Sequence, residues 1–232
     1  MPKTVLITGA TDGLGKALVY EFLKRTDYQL VLCGRNEEKM AELLAHLPQD
    51  RIIYTECFNL LNDSEIRTFT KNVKEKVNPI DILINNAGAN SKKAPVESLE
   101  IQDLRDMLQL NCVSHLMLIQ EFYAGMKENH GGHILNILSS CCLFHNETMA
   151  GYTASKDAME AISKILVKEA RKDNIKVTSV YPGGIDTNFR AIPNHTYMKP
   201  ETVAQTIVDC VLLPEDGVMH DIILRPISEV NF

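Results

Sequence analysis

Seven short apolar runs, separated by segments whose apolar residues recur at helical spacing, predict one α/β domain over residues 1–232: a doubly wound parallel sheet of about seven strands with helices on both faces. Two further observations support this class. The second run, Tyr28 to Cys33, is nearly continuously apolar, as a strand covered on both faces requires. The first run ends in a cluster of glycines just before a helical pattern begins.

That first strand, Lys3 to Thr8, breaks into Gly9-Ala10-Thr11-Asp12-Gly13-Leu14-Gly15, and Leu14, Ala17, Leu18, Phe22 and Leu23 then mark one helical face. Backbone amides at a helix N-terminus, with the positive end of the helix dipole, hold a pyrophosphate. Gly9 suits the tight turn, Gly13 close approach to a ligand, and Gly15 the packing of helix on strand. The spacing is Gly-x-x-x-Gly-x-Gly, not the commoner Gly-x-Gly-x-x-Gly. Glycines here also occur where only the turn needs them, so the remaining elements must decide.

The second strand, Tyr28 to Cys33, ends at Gly34-Arg35-Asn36. In a dinucleotide fold this strand end meets the adenosine ribose, where a carboxylate would accept hydrogen bonds from a free 2′-hydroxyl. Gly34 followed by Arg35 offers instead a guanidinium for a 2′-phosphate, which favours NADP(H) over NAD(H). The same residues also read as a turn in which Asn36 caps the helix of Glu37 to Leu47. A third strand, Arg51 to Cys57, precedes Asn59-Leu60 and a helix opening at Asp63. The fourth, Ile80 to Ile84, runs into Asn85-Asn86-Ala87-Gly88, small residues that permit close approach of a flat ligand or simply make a turn. One long helix, Ser98 to Lys127, carries Asn111 among Leu108, Leu110, Val113 and Leu116, so its amide needs partners near the buried face.

The fifth strand, His133 to Leu138, delivers Ser139-Ser140, of which only one can face a site because strand neighbours point oppositely. On the next helix Tyr152 and Lys156 are four apart and share a face. The sixth strand, Ile175 to Tyr181, ends at Pro182-Gly183-Gly184-Ile185-Asp186-Thr187; the helix of Pro200 to Leu212 and a last strand, His220 to Leu224, complete the alternation. Ligands of such a sheet bind at the C-terminal strand edge.

A net charge of −6 with no basic block argues against nucleic acid, and no apolar run is long enough to span a bilayer. Met1-Pro2-Lys3 leads straight into a strand, from which a cytoplasmic location is expected. The six cysteines show no Cys-x-x-Cys spacing, so neither zinc nor any other metal nor a disulfide is expected.

Thr8-Gly9-x-x-x-Gly13-x-Gly15, Asn85-Asn86-Ala87-Gly88, Asn111, Ser139, Tyr152-x-x-x-Lys156 and Pro182-Gly183-x-x-x-Thr187, in this order, resemble the short-chain dehydrogenase/reductase family across nearly the whole chain, and with it a Rossmann-type fold. The resemblance implies Tyr152 as general acid/base, Lys156 as its activator, Ser139 as the donor that orients a carbonyl and Asn111 as the anchor of a proton-relay water. It implies Gly9, Thr11, Asp12, Gly13, Leu14 and Gly15 around the cofactor phosphates, Gly34, Arg35 and Asn36 toward the adenosine ribose, and Asn59 and Leu60 at adenine. Asn86, Ala87 and Gly88 would line the ribose side, with Tyr152 and Lys156 also touching the cofactor, and Pro182, Gly183, Ile185 and Thr187 the nicotinamide. A homodimer or homotetramer through the two long helices is implied as well.

The expected activity is NADPH-dependent reduction of a small-molecule ketone or aldehyde to an alcohol. The alternatives are a non-catalytic NADP(H)-binding sensor and an isomerase or dehydratase of the same family. Two departures bear on the cofactor: Asn59 stands where many members carry Asp, and Asp12 where several NADP-using members carry Arg. The segment Asn188 to Lys199 is short for a substrate lid, which suggests an open site for bulky or varied carbonyls. Its expected walls are Cys141, Cys142, Phe144, His145, Met149 and Phe189, with no cationic anchor.

Overall fold

The computed structural model describes residues 2–77, 79–189 and 194–230. Seven strands, β1 (Thr4–Thr8), β2 (Gln29–Gly34), β3 (Ile52–Cys57), β4 (Ile82–Asn85), β5 (Gly132–Ile137), β6 (Ile175–Pro182) and β7 (Asp221–Leu224), form one sheet in the order β3-β2-β1-β4-β5-β6-β7. Every neighbouring pair is parallel. The order reverses between β1 and β4, and the loops leaving those two strands part to open a crevice at their C-terminal ends.

The alternation of strand side chains builds two cores. Val5, Ile7, Leu30, Leu32, Ile82 and Ile84 face α1 (Gly13–Arg25), α2 (Glu37–Leu44) and α8 (Pro200–Val211). Leu6, Val31, Leu83, Ile134 and Val177 face the opposite layer, made by α3 (Asp63–Lys76), α4 (Ile101–Leu108), α5 (Ser114–Glu128) and α7 (Ala150–Ala170). Asn36 and Asn62 cap α2 and α3, each accepting a hydrogen bond from a first-turn amide. A four-residue helix, α6 (Cys141–Phe144), lies between β5 and α7.

The expected long helix from Ser98 to Lys127 is interrupted. Between α4 and α5, Gln109–Val113 form a π turn, closed by the Ser114 amide donating to the Gln109 carbonyl. The widened turn holds Asn111, fully buried, where its Nδ2 donates to the Ala89 carbonyl and the Ser155 hydroxyl, both at 2.9 Å, while Oδ1 accepts from the Ala89 amide at 3.0 Å. These bonds replace the regularity that the helix gives up, and single-turn π segments of this kind cluster at functional sites.

Two histidines are buried, His115 on α5 and His133 on β5, one on each side of the sheet. His115 Nε2 lies 2.8 Å from the Ala87 carbonyl oxygen, so the neutral ring carries its proton there, and His133 Nε2 lies 2.8 Å from the Thr178 hydroxyl. Burial, with the Lys156 charge beside His115 and the Lys176 and Lys3 charges near His133, pushes both down to about 3. The unfolded chain takes up these protons near pH 6.5 and the folded chain does not until about pH 3, so stability is full above 6.5 and drains as the pH falls. Denaturant titrations should show a loss of about 2 kcal/mol per histidine between pH 7 and pH 5. His133→Gln should flatten that slope, and an unchanged slope would show that the ring is not held neutral.

Candidate active site

The crevice is a cleft of about 820 Å³ that runs from the first turn to the end of β6. It is lined by Gly9, Thr11, Asp12, Gly13, Leu14 and Gly15, by Gly34 and Arg35, by Asn59 and Leu60, and by Asn86, Ala87 and Gly88. The far end is formed by Ser139, Tyr152 and Lys156 with Pro182, Gly183, Ile185 and Thr187. Two expected residues lie outside this lining: Asn36, whose side chain caps α2 at Lys39 N (2.8 Å), and Asn111, committed to its partners behind Gly88.

The first turn is shaped by what a side chain would strike. A Cβ on Gly15 would stand 2.0 Å from the Gly9 carbonyl oxygen, so helix and strand close on bare backbone. Gly13 has φ +50, a left-handed value that favours glycine. The helical ladder opens with Lys16 N donating to Asp12 O, so the amides of Leu14 and Gly15 precede it at the cleft. Thr8 locks this turn to the end of β4: its hydroxyl accepts from the amides of Asn86 and Ala87, each at 2.9 Å, and Asn86 Nδ2 donates back to Thr8 O at 2.8 Å. Sequence reading places Thr8 in the motif without this job.

Asp12 is the N-cap of α1, with Oδ1 accepting from Gly13 N at 2.8 Å, and its other oxygen pairs with Lys39 Nζ. Burial pushes the carboxyl up, but Lys39, the Gly13 amide and Asn188 outweigh it and hold Asp12 below its ordinary value. The negative charge at this position is therefore matched by a cation from α2. Arg35, exposed at the same rim, has no hydrogen-bond or ion-pair partner among the described residues.

At the far end, Ser139 lines the cleft and its Oγ accepts from Cys141 N at 3.2 Å, whereas Ser140 turns away, its amide donating to Pro182 O. Tyr152 and Lys156 come from the first two turns of α7. The Lys156 Nζ stands 5.9 Å from the centre of the Tyr152 ring and donates to the Ile137 carbonyl at 2.7 Å. Burial brings the ammonium down to about 8, opposed by the thiols of Cys141, Cys142 and Cys112. A Cβ on Gly88 would lie 2.8 Å from Asn111 Oδ1 and 3.3 Å from Lys156 Nζ, so that glycine lets the β4 turn press against both.

The expected walls are only partly found. Met149 and Phe189 line the cleft, the Phe189 ring 6.0 Å from that of Tyr152, but Cys141, Cys142, Phe144 and His145 do not: Cys142 and His145 face Asp157 of α7, and the Phe144 ring lies 4.3 Å from the Arg225 guanidinium. The turn after β4 supplies Asn90, Ser91 and Lys93 instead, so a cation does line the cleft, contrary to the expectation. Asn90 Oδ1 is buried there without a partner. Within the short segment Asn188 to Lys199, positions 190–193 lie outside the described residues. Its C-terminal end is tied down, since Met198 N donates to Gly184 O and Asp186 N to Met198 O.

A parallel sheet whose order reverses at a glycine-lined turn is the architecture of a dinucleotide-binding α/β protein, and a buried lysine stands at the other end of the same cleft. Residues 3–197 match the short chain dehydrogenase family model, and the chain belongs to the short-chain dehydrogenase/reductase family. Proteins described as uncharacterized oxidoreductases are 29% identical in Staphylococcus aureus and 28% in Staphylococcus saprophyticus, over 97% of each chain. The fold is shared with an alcohol dehydrogenase from the archaeon Thermococcus sibiricus complexed with 5-hydroxy-NADP (TM-score 0.90, 22% identity, 99% of both chains). It is shared also with a serine dehydrogenase complexed with NADP+ (TM-score 0.90, 25% identity, 98% of this chain and 96% of that one). A 7α-hydroxysteroid dehydrogenase complexed with NADH is similar too (TM-score 0.87, 23% identity, 99% of this chain and 95% of that one). No helix among the described residues is long and apolar enough to cross a membrane.

Proposed function

We propose that the chain is an NADPH-dependent carbonyl reductase that converts a ketone or aldehyde to an alcohol. The observation that carries this reading is Lys156: an ammonium removed from solvent, one helical turn from Tyr152, in the same cleft as a glycine turn fit for a pyrophosphate. Binding alone has no need of a phenol and a serine hydroxyl gathered beside that charge in one cleft. The cofactor would lie from Gly9–Gly15 to Pro182–Thr187, and when bound it supplies the hydride.

The protein's own groups handle the proton. Tyr152 donates it to the carbonyl oxygen, and Ser139 hydrogen-bonds that oxygen as charge develops. A phenol of ordinary pKa about 10 is a poor couple near neutrality, and bringing it to about 7 takes about 4 kcal/mol of preference for the phenolate. The Lys156 charge, held in a low-dielectric floor, favours the phenolate. Asn111 has both amide hydrogens committed, so its side chain positions the Gly88–Ala89 backbone against Lys156, and a relay water would bond to its main chain.

Arg35 favours the phosphorylated cofactor. Relatives of this fold hold NADP forms or NADH, so the fold leaves the preference to local charge, and here Asp12 is matched by Lys39 while Arg35 has no partner of its own among the described residues. In Arg35→Ala, NADPH should lose at least about tenfold relative to NADH in kcat/KM. An unchanged ratio would remove Arg35 as the reader of the 2′-phosphate. The family reading also carries a cytoplasmic location and self-association as a dimer or tetramer through the faces of α4–α5 and α7, where Val113 and Ile165 are exposed.

A further inference from the structure

Behind the cleft, Cys142 and His145 meet two carboxylates of α7. We propose that Cys142, His145, Asp157 and Glu160 form a transition-metal site, suited to zinc, that ties α6 to α7. The proposal goes beyond the reductase reading and stands or falls separately, because none of the four residues lines the cleft.

The ligands come as two pairs, each three residues apart. Cys142 and His145 flank the end of α6, and Asp157 and Glu160 share one face of α7. Ligand atoms of Cys142, Asp157 and Glu160 all lie within 4.8 Å of one another, the one such group of three among the described residues. His145 Nε2 adds a fourth, 3.1 Å from Asp157 Oδ2. Around a tetrahedral zinc ion such atoms stand about 3.3–3.5 Å apart, so Cys142, Asp157 and Glu160 close with side-chain movements of roughly 1 Å, and the exposed His145 ring completes the set by swinging inward from Asp157.

The chemistry of the set points to a cation. One thiol, one imidazole and two carboxylates are the donors that zinc takes, and calcium or magnesium would not select the sulfur. Asp157 Oδ1 is buried with no hydrogen-bond partner, an acceptor that a cation would satisfy. Glu160 is already oriented, its Oε1 accepting from the Tyr181 hydroxyl at 3.1 Å and from Lys164 Nζ at 2.8 Å, as ligating carboxylates usually are. On binding, Cys142 would release its thiol proton to solvent and ligate as the thiolate. The absence of Cys-x-x-Cys spacing hides this set, because its ligands lie on two helices that only the fold brings together.

The test uses the full chain stripped with a chelator, then dialysed against zinc or cobalt(II). Native protein should retain one zinc per chain and give a cobalt(II) spectrum with a thiolate-to-metal charge-transfer band. Cys142→Ser should abolish that band, Asp157→Asn should weaken binding at least about tenfold, and Cys141→Ser should do neither. Zinc should raise the melting temperature of the native chain and not that of Asp157→Asn. If Cys142→Ser does not fold in the chelator, Asp157→Asn decides alone. No retained zinc, a band that survives in Cys142→Ser, or Asp157→Asn binding as tightly as the native chain would overturn the proposal.

Discussion

Replacing Tyr152 with phenylalanine is expected to lower kcat by about 10³-fold while leaving the dissociation constant for NADPH within a factor of about three. The hydroxyl is the only atom removed, and the ring that packs against Phe189 in the buried wall of the cleft is kept. The glycine turn and the ends of β4 and β6, which would carry most of the cofactor contacts, are untouched by the substitution, so binding has little to lose. The proposed proton donor, however, is gone, and water in the emptied space is a weaker and unoriented substitute. Steady-state turnover of NADPH with a panel of ketones, beside a fluorescence titration of NADPH, separates the two effects. Equal losses in both would mean that the phenol serves the architecture, and unchanged turnover would remove Tyr152 from the chemistry.

Gly15→Ala is expected to cost at least about 3 kcal/mol of stability and most of the NADPH affinity. A Cβ there stands 2.0 Å from the Gly9 carbonyl oxygen and 2.7 Å from Asn86 Nδ2, well inside contact distance and against main chain that cannot swing aside. Relief requires α1 to lift from β1, which breaks the bonds that Asn86 makes to Thr8 O and Gly9 O and spoils the alignment of the first-turn amides. Gly125→Ala is the internal control: nothing lies within 4 Å of its Cβ on α5, so the substitution should be neutral or stabilise by up to about 1 kcal/mol. Urea unfolding of the two variants makes the comparison, and equal midpoints would contradict the close packing of the first turn.

The parallel sheet was legible because its central strands, β1, β2 and β4, are buried on both faces and apolar, a signal that needs no tertiary information, whereas the strand order is seen only in the structure. The glycine turn, Ser139, Tyr152 and Lys156 were legible for a related reason, since each sits at a strand end or at fixed helical spacing. Periodicity could not show the π turn at Asn111, because one inserted residue turns the pattern by about 100°, no more than the width of the apolar stripe itself. The pairing of Asp12 with Lys39 was hidden for a different reason: the partners are 27 residues apart on separate elements. In the loop after Ser139, the expected walls Cys141, Cys142, Phe144 and His145 do not line the cleft. The four-residue helix α6 carries the first three of them away from it, and Lys93, from a turn with no regular pattern of its own, lines the cleft instead.

The central claim is that Ser139, Tyr152 and Lys156 serve a carbonyl next to the nicotinamide. It is tested most directly with NADPH carrying deuterium on the transferable position of nicotinamide C4, offered with ketones and aldehydes. The account requires product alcohol with one deuterium on the carbinol carbon, formed by the native protein and reduced by about 10³-fold in Tyr152→Phe. Carbonyl substrates left unreduced while NADPH binds, or product whose carbinol carbon carries no label, would contradict it.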